Sequence, residues 1–133
     1  MRRAIPRALL LALAATIALP LTGCGLTRDD DQYEWAARAT GGTPERGREA
    51  LKRYGCQSCH TIPGVTGADG LVGPPLAGIG KRVYIAGVLP NTPANLVKWI
   101  ESPQAVDSLT AMPTLGVSAS DARDMASYLY TLR

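Results

Sequence analysis

Between Ser118 and Leu132 the apolar residues Met125, Tyr128, Leu129 and Leu132 recur at the i, i+3, i+4, i+7 spacing of one helix face. Ser118 suits the N-cap, and Asp121, three residues on, completes a start signal. A second helix is predicted to open at Asn91-Thr92-Pro93, to carry Leu96, Trp99 and Ile100 on one face, and to end at Pro103. A third opens at Thr43-Pro44-Glu45, runs to about Tyr54 and stops at Gly55. Residues 61–90 are rich in glycine and proline without clean periodicity, so they predict loops with short helical turns. No segment alternates as a strand does, and the predicted fold class is all-α.

The chain begins differently. Arg2, Arg3 and Arg7 precede an apolar stretch from Ala8 to Leu19, about 12 residues and shorter than the roughly 20 a spanning helix needs. Residues 1–23 therefore read as an export signal. The stretch ends in Leu21-Thr22-Gly23-Cys24, which resembles a bacterial lipobox; the resemblance implies lipidation of Cys24 and attachment to an envelope membrane. Gly25 stands where a membrane-retention aspartate would, and the leaflet stays open. Residues 24–42, with Asp29-Asp30-Asp31 and Gly41-Gly42, read as a polar, flexible linker holding about one turn of helix near Tyr33 to Ala39. Residues 43–133 form the single predicted domain.

Composition changes this picture in two ways. The formal charge is +3, but removing the three leader arginines from 14 basic residues leaves 11 against 11 acidic ones. Without a basic stripe, nucleic-acid binding has no support. Phenylalanine is absent and aromatics are only 5%, so a protein-only core would be thin, and a buried apolar cofactor would help to fill it.

The chemistry lies in Cys56-Gln57-Ser58-Cys59-His60, a C-x-x-C-H sequence read as a c-type haem attachment. Two thiols one helical turn apart can form thioethers with the two vinyl groups of one porphyrin, and His60 is then held beneath the iron. A thioredoxin-like redox pair would need a βαβ context, which is not seen. A zinc site would need further ligands, yet His60 is the only histidine and no second cysteine pair exists. A structural disulfide is the plain alternative.

With the only histidine used, the second axial ligand is sought among methionines. Met125 lies on the apolar stripe of the last helix and reads as core. Met112, in Leu109-Thr110-Ala111-Met112-Pro113, lies in a loop stiffened by proline and is the predicted ligand. His/Met ligation raises a haem's reduction potential and leaves no open coordination position.

Over residues 43–133 the sequence resembles the class I cytochromes c. Gly47 matches the small residue of the helix before the haem motif, and Gly73-Pro74-Pro75-Leu76 matches a following Gly-Pro-x-Leu. The resemblance implies a small cytochrome c fold around one covalent haem c. It implies too that the Pro74 carbonyl accepts the second imidazole N–H of His60, and that Leu76 packs on the porphyrin. Arg82 stands where the family pairs an arginine with a haem propionate, Trp99 where it places an aromatic near the haem, and Tyr128 at the aromatic of the terminal helix. Leu51 departs from the pattern, which usually has an aromatic there. The stretch from Leu89 to Leu96, with Trp99 and Pro103, is similar to the cytochrome c domain of some haem–copper oxidase subunits II.

The function so implied is one-electron transfer in a respiratory-type chain, on the periplasmic side of a bacterial envelope and tethered to its membrane. A quinol:cytochrome c reductase is the expected donor, and a terminal haem–copper oxidase or another reductase the acceptor. Neither an enzymatic activity nor a small-molecule substrate is expected. The alternatives are a fixed electron-transfer subunit of a larger oxidase or dehydrogenase, and a haem-based sensor or enzyme.

Overall fold

The computed structural model describes residues 27–133. The export leader and the lipidation site at Cys24 lie outside the described residues. Among the described residues, five α-helices follow in chain order: α1 (Thr27–Thr40), α2 (Pro44–Arg53), α3 (Pro93–Glu101), the single turn α4 (Pro103–Val106) and α5 (Ala119–Thr131). Short 3₁₀ turns occupy Cys56–Ser58 and Ile79–Lys81.

Helix α5 is the axis against which α1, α2 and α3 pack. Ser118 caps it by accepting the Asp121 N–H at 3.1 Å. Three of its four stripe residues, Met125, Tyr128 and Leu129, are each under 5% exposed, while Leu132 lies half-buried at the C-cap. Leu51 of α2, 2% exposed, fills its contact as an aliphatic residue. Helices α2 and α5 approach until their backbones meet. A Cβ on Gly47 would fall 1.9 Å from the Asp124 carbonyl oxygen, and one on Gly42 would fall 2.2 Å from that of Arg123. Only glycine fits at such crossings.

A buried carboxylate secures this crossing. Asp124 accepts the Thr43 N–H at 2.6 Å and the Arg46 guanidinium at 2.8 and 3.0 Å. Thr43 occupies the N-cap of α2 as expected, but its side chain makes no capping bond. In α3 the expectation holds in full, with Thr92 Oγ1 accepting the Asn95 N–H at 3.3 Å. Pro103 does not merely end that helix: Ser102 breaks it and Pro103 opens α4.

Two expectations need correction. The flexible linker of residues 24–42 is, from Thr27 to Thr40, a helix docked on α5. Ala36 is fully buried, Trp35 meets Tyr130 edge-on at 5.6 Å, and the Arg133 guanidinium lies 4.7 Å from the Trp35 ring centre. Gln32 Nε2 donates to the carbonyls of Tyr130 (3.4 Å) and Thr131, which the end of α5 leaves without helical partners. The contact face of α1 is narrow and made of small or amphipathic residues, which is why an acidic segment read as solvated. The second correction is minor. The all-α domain includes a hairpin, β1 (Tyr84–Ile85) antiparallel to β2 (Leu89–Pro90), turning at Ala86 and Gly87, both at positive φ.

Candidate functional site

The C-terminal end of α2 delivers the cysteine pair. Tyr54 closes the helix, Gly55 turns the chain at φ 78°, and the 3₁₀ turn follows at once. The amides of Cys59 and His60 both donate to the Cys56 carbonyl, at 3.3 and 3.0 Å. The thiols and the imidazole therefore spring from one tight turn. Arg53 and the Tyr54 hydroxyl each donate to Asp121 at 2.8 Å, fixing the approach of this turn to the start of α5. The Tyr54 hydroxyl, with help from Ser118 and Arg53, holds the Asp121 carboxyl below the usual carboxylate range.

The two cysteines are half-buried and are not joined to each other. Burial pushes the Cys56 thiol up to about 11, so it is neutral at pH 7. That is the reverse of the depressed thiol that drives a redox-active C-x-x-C pair.

His60 is held on two sides. Its Nδ1 lies 2.7 Å from the Pro74 carbonyl oxygen. A carbonyl only accepts, so Nδ1 carries the proton and the Nε2 lone pair is left to bind a metal. Gly73 forms the seat: a Cβ there would fall 2.3 Å from Cε1, 2.6 Å from Nδ1 and 2.9 Å from Nε2 of the imidazole. The segment carrying Gly73 is bonded back to the cysteine turn, with the Gly73 N–H on the Cys59 carbonyl at 2.7 Å and the Leu76 N–H on that of Thr61 at 2.8 Å. Gly70 packs on the peptide between Ser58 and Cys59, where a Cβ would clash at 2.6 Å. The family resemblance picks out Gly73 without a reason for it, and nothing in the sequence marks Gly70; both reasons lie in these close approaches.

The remaining expected site residues are placed as follows. Leu76 and Trp99, 9% and 8% exposed, belong to the buried apolar cluster, and half-buried Met112 packs against it from the loop before α5. Gln104 restrains that loop by donating to the Met112 carbonyl at 2.6 Å and accepting the Thr114 hydroxyl. Nothing in the sequence marks Gln104 for this task. Arg82 donates to the carbonyls of Pro75 and Ala77, the latter at 3.3 Å, and so ties down the loop after the Gly-Pro segment. The Tyr128 hydroxyl donates to the Pro63 carbonyl at 2.7 Å. Met125, 1% exposed, is core.

One turn thus brings together two cysteines and an imidazole whose Nδ1 is held by the Pro74 carbonyl and whose ring rests on Gly73. Among the described residues, no group of three or more His, Cys, Asp or Glu side chains converges as a protein-only metal site would require.

The family described as Cytochrome c matches residues 44–133. The chain belongs to the cytochrome c family. The match begins at the first residue of α2, so α1 precedes the region shared with the family. This cytochrome c is 28% identical over 108 residues to cytochrome c oxidase subunit 2 of Bacillus subtilis (strain 168), an alignment covering 80% of this chain and 30% of that one. No solved structure matches it. As a family member it has haem c, covalently bound, as its cofactor. The cofactor supplies a one-electron iron couple. Cytochrome c domains are typically extracytoplasmic, and among the described residues no helix is long and apolar enough to cross a membrane.

Proposed function

We propose that Cys56 and Cys59 form the thioethers to the haem, that His60 Nε2 and the Met112 sulfur are its axial ligands, and that the protein is a one-electron carrier held by a lipid on Cys24 at the periplasmic side of a bacterial membrane. The observation that carries this reading is the His60 imidazole locked between Gly73 and the Pro74 carbonyl, directly after the cysteine pair. A ring fixed in this way keeps one orientation in both oxidation states, and a thioether ligand favours ferrous iron and a high potential. Both features suit electron transfer between a quinol:cytochrome c reductase and a terminal haem–copper oxidase.

A second reading has its own support. The similarity to an oxidase subunit, of whose length the chain spans 30%, favours a fixed subunit wiring electrons inside a larger complex. Gentle detergent extraction of membranes separates the two. A carrier migrates alone at its own size and is oxidised by membranes containing the oxidase; a subunit comigrates stoichiometrically with oxidase or dehydrogenase polypeptides. Release of a Cys24→Ser variant into the soluble fraction supports the anchor, and persistent membrane retention contradicts it.

A further inference from the structure

The hairpin carries an apolar surface. Val83 is 75% exposed, Tyr84 57% and Val88 49%, on adjoining positions of one short turn. Large apolar residues gathered in this way mark an interaction face. Exposed Lys81 precedes them.

Its place in the fold suggests what covers it. Asn91 closes the base of the hairpin, donating its N–H to the Val83 carbonyl at 2.9 Å and its Nδ2 to that of Arg82 at 2.8 Å. Asn91 Oδ1 accepts the Tyr130 hydroxyl at 2.8 Å. The same Tyr130 meets Trp35 of α1, and Gln32 of α1 caps the carbonyls beside it. The hairpin and the start of α1 thus share one end of the molecule, the C-terminal end of α5. Half-exposed Tyr33 and Trp35 and the exposed Arg133 lie there too.

Helix α1 begins at Thr27, only three residues after Cys24. Three residues span about 10 Å at most. A lipid on Cys24 would therefore hold this end close to the bilayer, with none of the slack of a long flexible linker. Aromatic residues, short aliphatic side chains and flanking cations are the mixture that settles at a membrane–water interface. The acidic run Asp29-Asp30-Asp31 near the start of α1 makes charge the lesser contribution, and the apolar contact the greater.

Resting on the lipid anchor of the reading above, we propose that the hairpin face of Val83, Tyr84 and Val88, together with the start of α1, lies on the bilayer surface and orients the domain. The haem-attachment turn stands at the other end of α5, where Asp121 takes Arg53 and Tyr54. The helix has 13 residues, about 20 Å. Leu71 and Val72, which lead into Gly73 and are 88% and 82% exposed, therefore remain open to the aqueous side and to redox partners.

Hydroxyl-radical footprinting of the holoprotein tests this. The wild type in phosphatidylcholine/phosphatidylglycerol nanodiscs is compared with the Cys24→Ser chain in buffer. Modification of Val83, Tyr84 and Val88 should fall by about fivefold or more on the discs, whereas Leu71, Val72 and Leu109 keep their reactivity. A wild type that is bound to the discs but has a fully reactive hairpin, or is protected at Leu71 and Val72 instead, overturns the orientation and leaves the anchor standing. A wild type that does not bind discs overturns the anchor and the orientation together. Concentration-dependent protection of the hairpin in buffer would assign the face to a protein contact and overturn the bilayer as its occupant.

Discussion

The Nδ1 of His60 lies 2.7 Å from the Pro74 carbonyl oxygen, fourteen residues further along the chain. This bond fixes which imidazole nitrogen faces a metal, and Gly73 beside it fixes how the ring lies. Tautomer and tilt are thus set by the protein before any partner arrives, and an electron-transfer iron benefits from such a constraint.

Gly73→Ala tests the seat. The added methyl carbon would sit 2.3 Å from the imidazole Cε1, so ring or loop must move. The expected outcome is a lower yield of holoprotein, and in the protein recovered a shifted reduction potential, measured by redox titration. An unchanged yield and potential would mean that the seat is immaterial.

The two methionines should part company under substitution. Met112→Ala should lower the reduction potential on the order of 0.1 V, within the roughly 0.8 V that haem ligation spans, and let the reduced iron bind carbon monoxide. Met125→Ala should leave the potential nearly unchanged and cost about 2–5 kcal/mol of stability, because the side chain is 1% exposed in the core. The opposite pattern would reverse the assignments.

Gln104 holds the Met112 loop through a 2.6 Å bond to the Met112 carbonyl. Losing a bond worth about 0.5–1.5 kcal/mol should open the loop up to roughly tenfold more often. Gln104→Ala should accordingly speed imidazole binding to the ferric protein by up to about that factor, seen by stopped flow, without altering α-helix content. An unaltered rate would remove Gln104 from the account.

Asp124 gives the fold its acid limit. Burial alone would raise its pKa, but the Arg46 guanidinium and the Thr43 N–H outweigh burial and hold the carboxyl below its ordinary value. Because the folded value is the lower one, this stabilisation is complete above the unfolded pKa of about 3.9 and is lost as pH falls through the folded value. Denaturation curves should therefore be flat down to about pH 5 and fall steeply below about 4. Asp124→Ala should flatten that acid limb, though not abolish it, since Asp121 is lowered as well. It should also cost about 1–3 kcal/mol at neutral pH by leaving the Thr43 amide without its partner. An acid limb as steep as in the wild type would show that Asp124 does not set it.

Much of this was legible in the residues alone. Ser118 and Thr92 cap as their types dictate, the Met125 stripe is buried, and the Pro74 carbonyl meets His60 where the family resemblance implied. What escaped has physical reasons. Helix α1 buries Ala36 and turns a tryptophan edge to Tyr130 while its other faces stay polar, so no broad apolar stripe announces it. Asp124, on the last helix, reads as a surface acid, because its partners Arg46 and Thr43 lie about 80 residues away in sequence. Gln104 and Asn91 act through bonds to backbone carbonyls, for which residue type leaves no pattern. The hairpin has strands of two residues, too short for alternation to show.

The central claim is a haem joined to Cys56 and Cys59 and held by His60 and Met112. Proton NMR of the reduced, purified holoprotein, after a denaturing gel stained for haem, tests it most directly. Covalent haem on the gel, together with one methionine methyl signal moved far upfield by the porphyrin ring current and lost in Met112→Ala, is the predicted result. A colourless polypeptide whose two thiols react freely with alkylating reagents would contradict it.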